Sequence, residues 1–161
     1  LYGQEDQLFE NNGNGKYIDV SVGRGEYFKE ELVGRGACFG DYDNDGDIDI
    51  YIVNLQDDGV LLRNDHGNES NWIQLQLIGT SSNRDGIGAR VKISANGVVQ
   101  IAQKKSATGY LSQSDPRMHF GVGRATVVEL IEVTWPSGKM QKLEDIEAGR
   151  MITITEGQDG N

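Results

Sequence analysis

The most distinctive chemistry of the chain lies in the nine-residue run 41–49, DYDNDGDID. Aspartates occupy positions one, three, five and nine of this run, and a glycine occupies position six. Carboxylates this close together repel one another unless a cation lies among them, and Ca²⁺ takes roughly six to eight oxygen ligands. The spacing therefore predicts a Ca²⁺ loop. Its expected ligands are four side-chain carboxylates and the backbone carbonyl at position seven: Asp41, Asp43, Asp45, Asp49 and Asp47, respectively.

This run does not match an EF-hand. An EF-hand loop has a bidentate Glu at position twelve and a helix on each side, whereas position twelve here is Ile52, inside the β-like run 48–53. The loop is therefore expected to lead into a strand. A solvated acidic turn without metal is the alternative. Mg²⁺ is disfavoured because it prefers rigid octahedral sites with few protein ligands.

Histidine and cysteine offer no second metal site. His66 and His119 are the two histidines, and neither has a partner at metal-ligand spacing, so structural roles are expected for both. Cys38 is the single cysteine, which excludes an internal disulfide and a multi-cysteine zinc site. Its apolar flanks favour a buried position for its side chain.

A hydrolase is a weaker hypothesis for the same chain. Ser112, Ser114, Asp115 and His119 are the residues that would have to form its catalytic cluster. No G-x-S-x-G elbow or oxyanion glycine pair accompanies them. We therefore assign no catalytic residues and expect no enzymatic activity.

Composition and charge exclude several function classes. Lys and Arg number 15 against 25 Asp and Glu, which gives a net charge of −10. Such a surface repels phosphate backbones and anionic lipid, so nucleic-acid binding is not expected. No apolar run approaches the roughly 18 residues of a membrane span. The chain starts at Leu1 rather than at a Met, and we expect it to be a mature form or an excised piece.

The hydrophobic pattern predicts an all-β fold with many turns. The chain has 22 glycines and 2 prolines among 161 residues, and its apolar runs are short. Alternation is clearest in residues 72–77, where Ile73, Leu75 and Leu77 share one face. Asn96-Gly97 predicts a hairpin, and residues 136–138 predict a second turn. The strand candidates are 17–22, 37–40, 48–53, 60–63, 72–78, 89–94, 98–103, 118–122, 127–135, 140–143 and 151–155.

A change in composition near residues 64–71 predicts two domains, 1–66 and 71–157. Asn and Asp dominate the turns of the first, and regular alternating strands dominate the second. A faint repeat between residues 8–13 and 61–66 has a period of about 50, which is typical of a propeller blade. A single blade leaves an open strand edge, which is a template for pairing. We expect this edge either to form a dimer or to dock onto the second domain.

Two families resemble parts of this chain. Residues 39–54 and 8–17 resemble an FG-GAP (VCBS-type) propeller repeat, and the chain from residue 71 on resembles an ASPIC/UnbV domain. The stretches that carry the second likeness are 82–91, 109–115, 119–123 and 133–138. The resemblance implies one propeller-blade-like repeat followed by a C-terminal antiparallel β-sandwich-like domain. It also implies Ca²⁺ in the propeller loop, and a secreted, cell-surface or periplasmic location.

These observations lead to a functional hypothesis with one alternative. We expect a non-enzymatic Ca²⁺-binding structural or adhesion module that presents a surface to a protein or to matrix glycan. The alternative is a carbohydrate-binding accessory module, for which the candidate aromatics are Trp72, Tyr110 and Trp135. Trp72 and Trp135 are expected to be core residues. The polar loop 104–117 is interpreted as a hairpin loop with Tyr110 packed inward, or as a recognition loop.

Overall fold

The computed structural model describes residues 2–65 and 70–158, and strands dominate both ranges. A 3₁₀ turn spans Glu26–Lys29. In chain order the strands are β1 (Gln4–Glu5), β2 (Phe9–Asn11), β3 (Tyr17–Asp19), β4 (Glu31–Leu32), β5 (Gly34–Gly40), β6 (Asp49–Asn54), β7 (Val60–Leu62), β8 (Asn71–Ile78), β9 (Arg90–Ala95), β10 (Val98–Gln103), β11 (Met118–Gly123), β12 (Val127–Thr134), β13 (Met140–Glu147) and β14 (Arg150–Thr155). The fold class predicted from the sequence, all-β, is confirmed.

The second half of the chain is a sandwich of two sheets. The larger sheet has the order β10-β9-β12-β13 and the smaller one the order β11-β8-β14. All of these pairings are antiparallel except that of β14 with β8, which is parallel. A tight turn with positive φ at Asn96 and Gly97 joins β9 to β10, as the sequence predicts.

Alternating apolar residues from both sheets form the core of this sandwich. Ile73, Leu75 and Leu77 on β8 are fully buried, as their period of two predicts. Ile93 and Ile131 lie opposite each other in the larger sheet and complete the facing layer. Burial of this apolar area is the main stabilising contribution to the second half of the chain.

The first half contains much less core. Its largest sheet is the three-stranded meander β5-β6-β7, accompanied by the two-stranded pairs β1-β4 and β2-β3. Among residues 2–65, the hydrophobic side chains that are buried are those of Phe28 and Ile52. Cys38 is half-buried rather than buried, because its side chain lies on the same sheet face as the exposed Tyr51 and Leu61. The prediction for Cys38 was therefore wrong.

Loop 104–117 covers the open edge of the meander. The N–H of Asp115 donates to the carbonyl of Phe39 at 2.8 Å, and the N–H of Phe39 donates to Ser114 Oγ at 3.2 Å. β5 is therefore paired on one side with β6 and on the other with this loop. Of the two ways to cover the edge, the structure contains the intramolecular one, and a dimer stays a prediction.

The prediction that Tyr110 packs inward is wrong. Its side chain is 75% exposed and that of Leu111 is 90% exposed. The loop is held through its serines and Asp115 instead, so its aromatic tip projects into solvent. Within the described residues no helix is long and apolar enough to cross a membrane.

Candidate metal centre

The aspartate-rich run forms the connection between β5 and β6. Asp41 directly follows β5, and Asp49 is the first residue of β6. Two residues between them adopt positive φ, 61° at Asn44 and 101° at Gly46. These left-handed positions turn the backbone back on itself, so the two ends of the run lie side by side.

The turn brings three carboxylates together. One oxygen from each of Asp41, Asp43 and Asp49 lies within 4.8 Å of the others. Ca²⁺ binds oxygens at roughly 2.3 to 2.6 Å, so two ligands on opposite sides of the ion are up to about 5 Å apart. The spacing and the all-oxygen chemistry of the group therefore fit Ca²⁺. Asp43 is exposed, so the group of three carboxylates is open to solvent on that side. Asp41 and Asp49 are buried.

Backbone amides hold the two buried carboxylates in place. Asp41 accepts hydrogen bonds from the N–H groups of Asp45 and Gly46, each at 3.1 Å. Asp49 accepts from Tyr42 N–H at 3.1 Å and from Asn64 N–H at 2.8 Å. Asp41 Oδ2 also accepts a hydrogen bond from Gln74, and each of the other accepting oxygens keeps a second lone pair. The loop is thus organised around the oxygens that a cation would contact.

The other two predicted ligands lie differently. The carboxylate of Asp45 is outside the group of three, and its Oδ1 accepts the N–H of Asp47 at 3.0 Å. That hydrogen bond lowers the pKa of the Asp45 carboxyl. Asp47 is buried and was predicted to contribute only its backbone carbonyl. The roles of both residues as ligands stay predictions.

The loop rests on the outer face of the smaller sheet of the sandwich. Gln74 on β8 donates from Nε2 to Asp41 Oδ2 at 2.8 Å, and both side chains are buried. On β11, His119 Nε2 donates to the carbonyl of Gly46 at 3.0 Å. A Cβ on Gly46 would lie 1.7 Å from Trp72 Nε1, so only glycine allows this close approach.

Arg117 is the second anchor of the loop. Its Nη2 donates to the carbonyl of Asp41 at 2.7 Å, and its Nη1 donates to Asn44 Oδ1 at 2.6 Å. The same guanidinium pairs with Asp115. Burial opposes ionisation of Asp115, but the hydrogen bonds from Arg117 outweigh it and lower the pKa of that carboxyl. The positive charge of Arg117 therefore lies beside an acidic loop that has no Lys or Arg of its own.

Sequence reasoning missed this docking surface. Trp72, Gln74 and His119 share the outer face of the smaller sheet, where Gln74 and His119 are direct cross-strand partners. Trp72 is half-buried and stacks on His119 with ring centroids 6.0 Å apart, so it is an interface residue and not part of the core. Trp135 is 2% exposed and is a core residue, as predicted. The signal for the docking surface was a Trp and a Gln on the face of β8 opposite Ile73, Leu75 and Leu77.

Of the two histidines, the structure gives a role to one. His119 has the structural role that was predicted, since it caps the carbonyl of Gly46 and stacks on Trp72. His66 lies outside the described residues.

Comparison with known proteins identifies relatives of the second half. The family described as ASPIC and UnbV matches residues 79–161. That match confirms the ASPIC/UnbV part of the resemblance seen in the sequence.

Longer alignments reach into the first half. Over 143 residues the chain is 28% identical to cartilage acidic protein 1 of Homo sapiens, an alignment that covers 82% of this chain and 20% of that protein. Cartilage acidic protein 1 of Mus musculus is 30% identical over 127 residues, covering 72% of this chain and 18% of that protein. The Xenopus tropicalis protein of that name is 28% identical over 158 residues, covering 85% and 24%. The alignments thus span about a fifth of the length of these relatives.

Proposed function

The chain belongs to the ASPIC and UnbV family, and from that premise we propose that it is a non-enzymatic, Ca²⁺-binding structural module that works outside the cytoplasm. Residues 1–66 form an FG-GAP/VCBS-like blade with the Ca²⁺ loop, and residues 71–157 form the ASPIC/UnbV domain. The role of the ion is to hold these two parts in one arrangement and so to present a fixed surface to a protein or matrix partner.

One observation carries this proposal. The carboxylate of Asp41 lies in the group of three candidate ligands and also accepts the hydrogen bond from Gln74 of the sandwich. Because the same side chain serves both contacts, neutralising the acidic group with Ca²⁺ also favours docking of the loop. The small core of the first half makes this contribution important, since little apolar burial is available there.

The side chains of the hydrolase hypothesis are engaged elsewhere, which supports a non-enzymatic role. His119 is bonded to the carbonyl of Gly46, and Asp115 is paired with Arg117. Ser114 Oγ lies 2.9 Å from Thr108 Oγ1, and Ser112 donates to the carbonyl of Tyr110. A serine nucleophile needs a histidine within hydrogen-bond reach, and none of these contacts joins a serine to His119.

The proposed location and partner have indirect support. The relatives are named for cartilage and for their acidity, and this chain is also acidic, with a net charge of −10. The exposed tip of loop 104–117 offers a surface on a rigid support. The glycan-binding alternative has less support, because Trp135 is in the core and Trp72 is covered by His119, which leaves Tyr110 alone.

Thermal melting in Ca²⁺ and in EGTA tests the proposal. When the free Ca²⁺ concentration is about 100 times the dissociation constant, binding to the folded state alone adds about 2.7 kcal/mol to the free energy of unfolding. We expect the parent to melt at a higher temperature in Ca²⁺, and Asp43→Asn to lose most of that difference. Asp43 is exposed, so its substitution leaves the folded chain intact.

Asp57→Asn is the matched control, because Asp57 is also an exposed aspartate but lies beyond β6 and outside the acidic loop. It should retain the full response to Ca²⁺. A parent melt that is the same in Ca²⁺ and in EGTA, with elemental analysis showing metal-free protein, would refute the proposal.

A further inference from the structure

A cleft of about 750 Å³ lies where the two halves of the chain meet. Phe39 and Ile48 line it from the first half, and Ile101 and Met118 line it from the sandwich. Ligand pockets are typically about 300 to 1,000 Å³, with mainly apolar walls and a few polar groups. The size and walls of this cleft therefore suit a small ligand or the end of a peptide.

Most polar side chains that line the cleft already have partners. Gln74 donates to Asp41, and His119 donates to the carbonyl of Gly46. Arg117 is shared among Asp115, Asn44 and the carbonyl of Asp41. These groups are committed to holding the acidic loop on the sandwich, so they have little capacity left for a ligand.

Lys104 is different. It follows β10, lines the cleft, and is only 5% exposed. Its backbone is fixed by two hydrogen bonds, to Ala89 and from Gly88. Its ammonium forms no hydrogen bond or ion pair with any residue in the ranges 2–65 and 70–158. Burial of its side chain lowers the pKa of Lys104, although the charges of Asp115 and Asp85 oppose this shift, so a further anion in the cleft would stabilise the ammonium.

The charge of the surroundings limits the kind of anion that fits. Of the two lysines that line the cleft, Lys104 has the buried side chain and Lys105 is exposed, and the chain as a whole carries −10. Such a field disfavours phosphate and other multiply charged groups. A single negative charge satisfies one ammonium, and the apolar walls favour a hydrocarbon body attached to it.

We propose that this cleft binds a carboxylate carried on an apolar body, with Lys104 as the residue that pairs with the carboxylate. Two sources have this chemistry: a small free acid, and the C-terminal carboxylate of a peptide that ends in apolar residues. The proposal does not depend on Ca²⁺ as a ligand, because Lys104 is not part of the acidic group.

An NMR titration of the 161-residue chain in Ca²⁺ tests this proposal. The probes are 4-phenylbutyrate and the peptide acetyl-Ala-Leu-Phe with a free C-terminus, each paired with its uncharged amide. We expect at least one acid to shift resonances of the cleft and to bind about tenfold or more tightly than its amide, a difference typical of a charge-assisted hydrogen bond. Binding of one acid only identifies the source of the carboxylate.

Lys104→Met keeps the apolar stem and removes the charge, and Lys16→Met is the matched control at an exposed lysine that does not line the cleft. The first should abolish the preference for the acid, and the second should retain it. Equal binding of acid and amide, no saturable binding of either acid, or an unchanged preference in Lys104→Met overturns the proposal. If that variant does not fold, the side-chain resonance of Lys104 in the parent decides: an acid that leaves its titration unchanged also overturns it.

Discussion

Nε2 of Gln74 lies 2.8 Å from Oδ2 of Asp41, although the two residues are 33 positions apart in the chain. Both side chains are buried, and the same Asp41 oxygen accepts the N–H of Gly46. A neutral amide on one strand of the sandwich therefore donates a hydrogen bond to a carboxylate of the loop. Because hydrogen bonding to a charged group strengthens in a buried setting, this contact couples the acidic loop to the sandwich.

Gln74→Ala is expected to destabilise the chain and to weaken Ca²⁺ binding together. A hydrogen bond to a charged group contributes about 1.5 to 3 kcal/mol, and its loss leaves Asp41 less well solvated in a buried position. Urea unfolding and calorimetric Ca²⁺ titration measure the two effects. Gln76→Ala is the control, because Gln76 lies on the same strand but is not bonded to the loop. Equal losses from the two variants would contradict the coupling.

Gly46→Ala is expected to displace the loop from the sandwich. The new Cβ would lie 1.7 Å from Trp72 Nε1, and alanine is also strained at a φ of 101°. Gly13→Ala isolates the second effect, because Gly13 has a φ of 78° and open space around it. The Gly13→Ala control should lower the free energy of unfolding by about 1 to 2 kcal/mol through backbone strain alone.

The Gly46 variant should lose clearly more stability than the Gly13 variant. Tryptophan fluorescence is a direct readout, since Trp72 would move into a more solvated environment. An emission spectrum of Gly46→Ala that matches the parent would show that the loop does not rest on Trp72.

Local pattern was sufficient to predict strands of the sandwich, whereas the sandwich arrangement was implied by the family resemblance. Ile73, Leu75 and Leu77 alternate along β8 and are fully buried, and Asn96-Gly97 forms the tight turn that its residue types favour. The acidic loop could also be located, because glycine at position six and aspartates at alternate positions are local signals. In each of these cases the physical cause lies within a few residues of sequence.

The partners of the loop could not be predicted in this way. Gln74 and His119 are remote from the loop in sequence, and they are cross-strand partners on the outer face of the smaller sheet. The sheet face that the loop covers is decided by how the two halves pack against each other. Local sequence patterns carry no information on that packing. The same reason explains the error at Tyr110, whose loop is held by contacts between Asp115 and Phe39 and not by an aromatic anchor.

Tyr110→Ala is expected to leave the melting temperature almost unchanged. The ring is 75% exposed, and substitutions at such positions usually change stability by less than about 0.5 kcal/mol. Trp135→Ala is the contrasting variant, since removal of a buried Trp costs about 3 to 5 kcal/mol. If the loop is a recognition loop, Tyr110→Ala should weaken partner capture while the melt stays the same. A large drop in the melting temperature of Tyr110→Ala would instead restore the packing interpretation.

Glu156 provides a pH-dependent contribution at the other end of the sandwich. Its side chain is 2% exposed, and its Oε2 accepts the successive N–H groups of Thr80, Ser81 and Ser82 at 2.9, 2.8 and 2.7 Å. The hydroxyl of Ser137 donates to Oε1. Burial alone would raise the pKa of Glu156, but these hydrogen bonds outweigh it and lower the pKa to about 2.

The thermal stability of the chain should therefore fall in acid partly through Glu156. Because the folded-state pKa lies below that of the unfolded chain, the carboxylate stabilises the fold fully above its ordinary value near 4.5 and loses this effect as the pH falls towards 2. Glu156→Gln removes the charge and places an amide N–H₂ among N–H donors. We expect the variant to melt well below the parent at pH 7, and the difference to shrink between pH 4.5 and pH 2.

The comparison isolates Glu156 because every other residue is the same in the parent and the variant. Glu144→Gln is the control at an exposed glutamate of β13, and it should follow the parent at every pH. A constant difference between parent and Glu156→Gln across this range would mean that the variant is destabilised by its shape and not by loss of the charge. Melting curves recorded by circular dichroism at half-unit pH steps distinguish the two causes, since only the charge disappears on protonation.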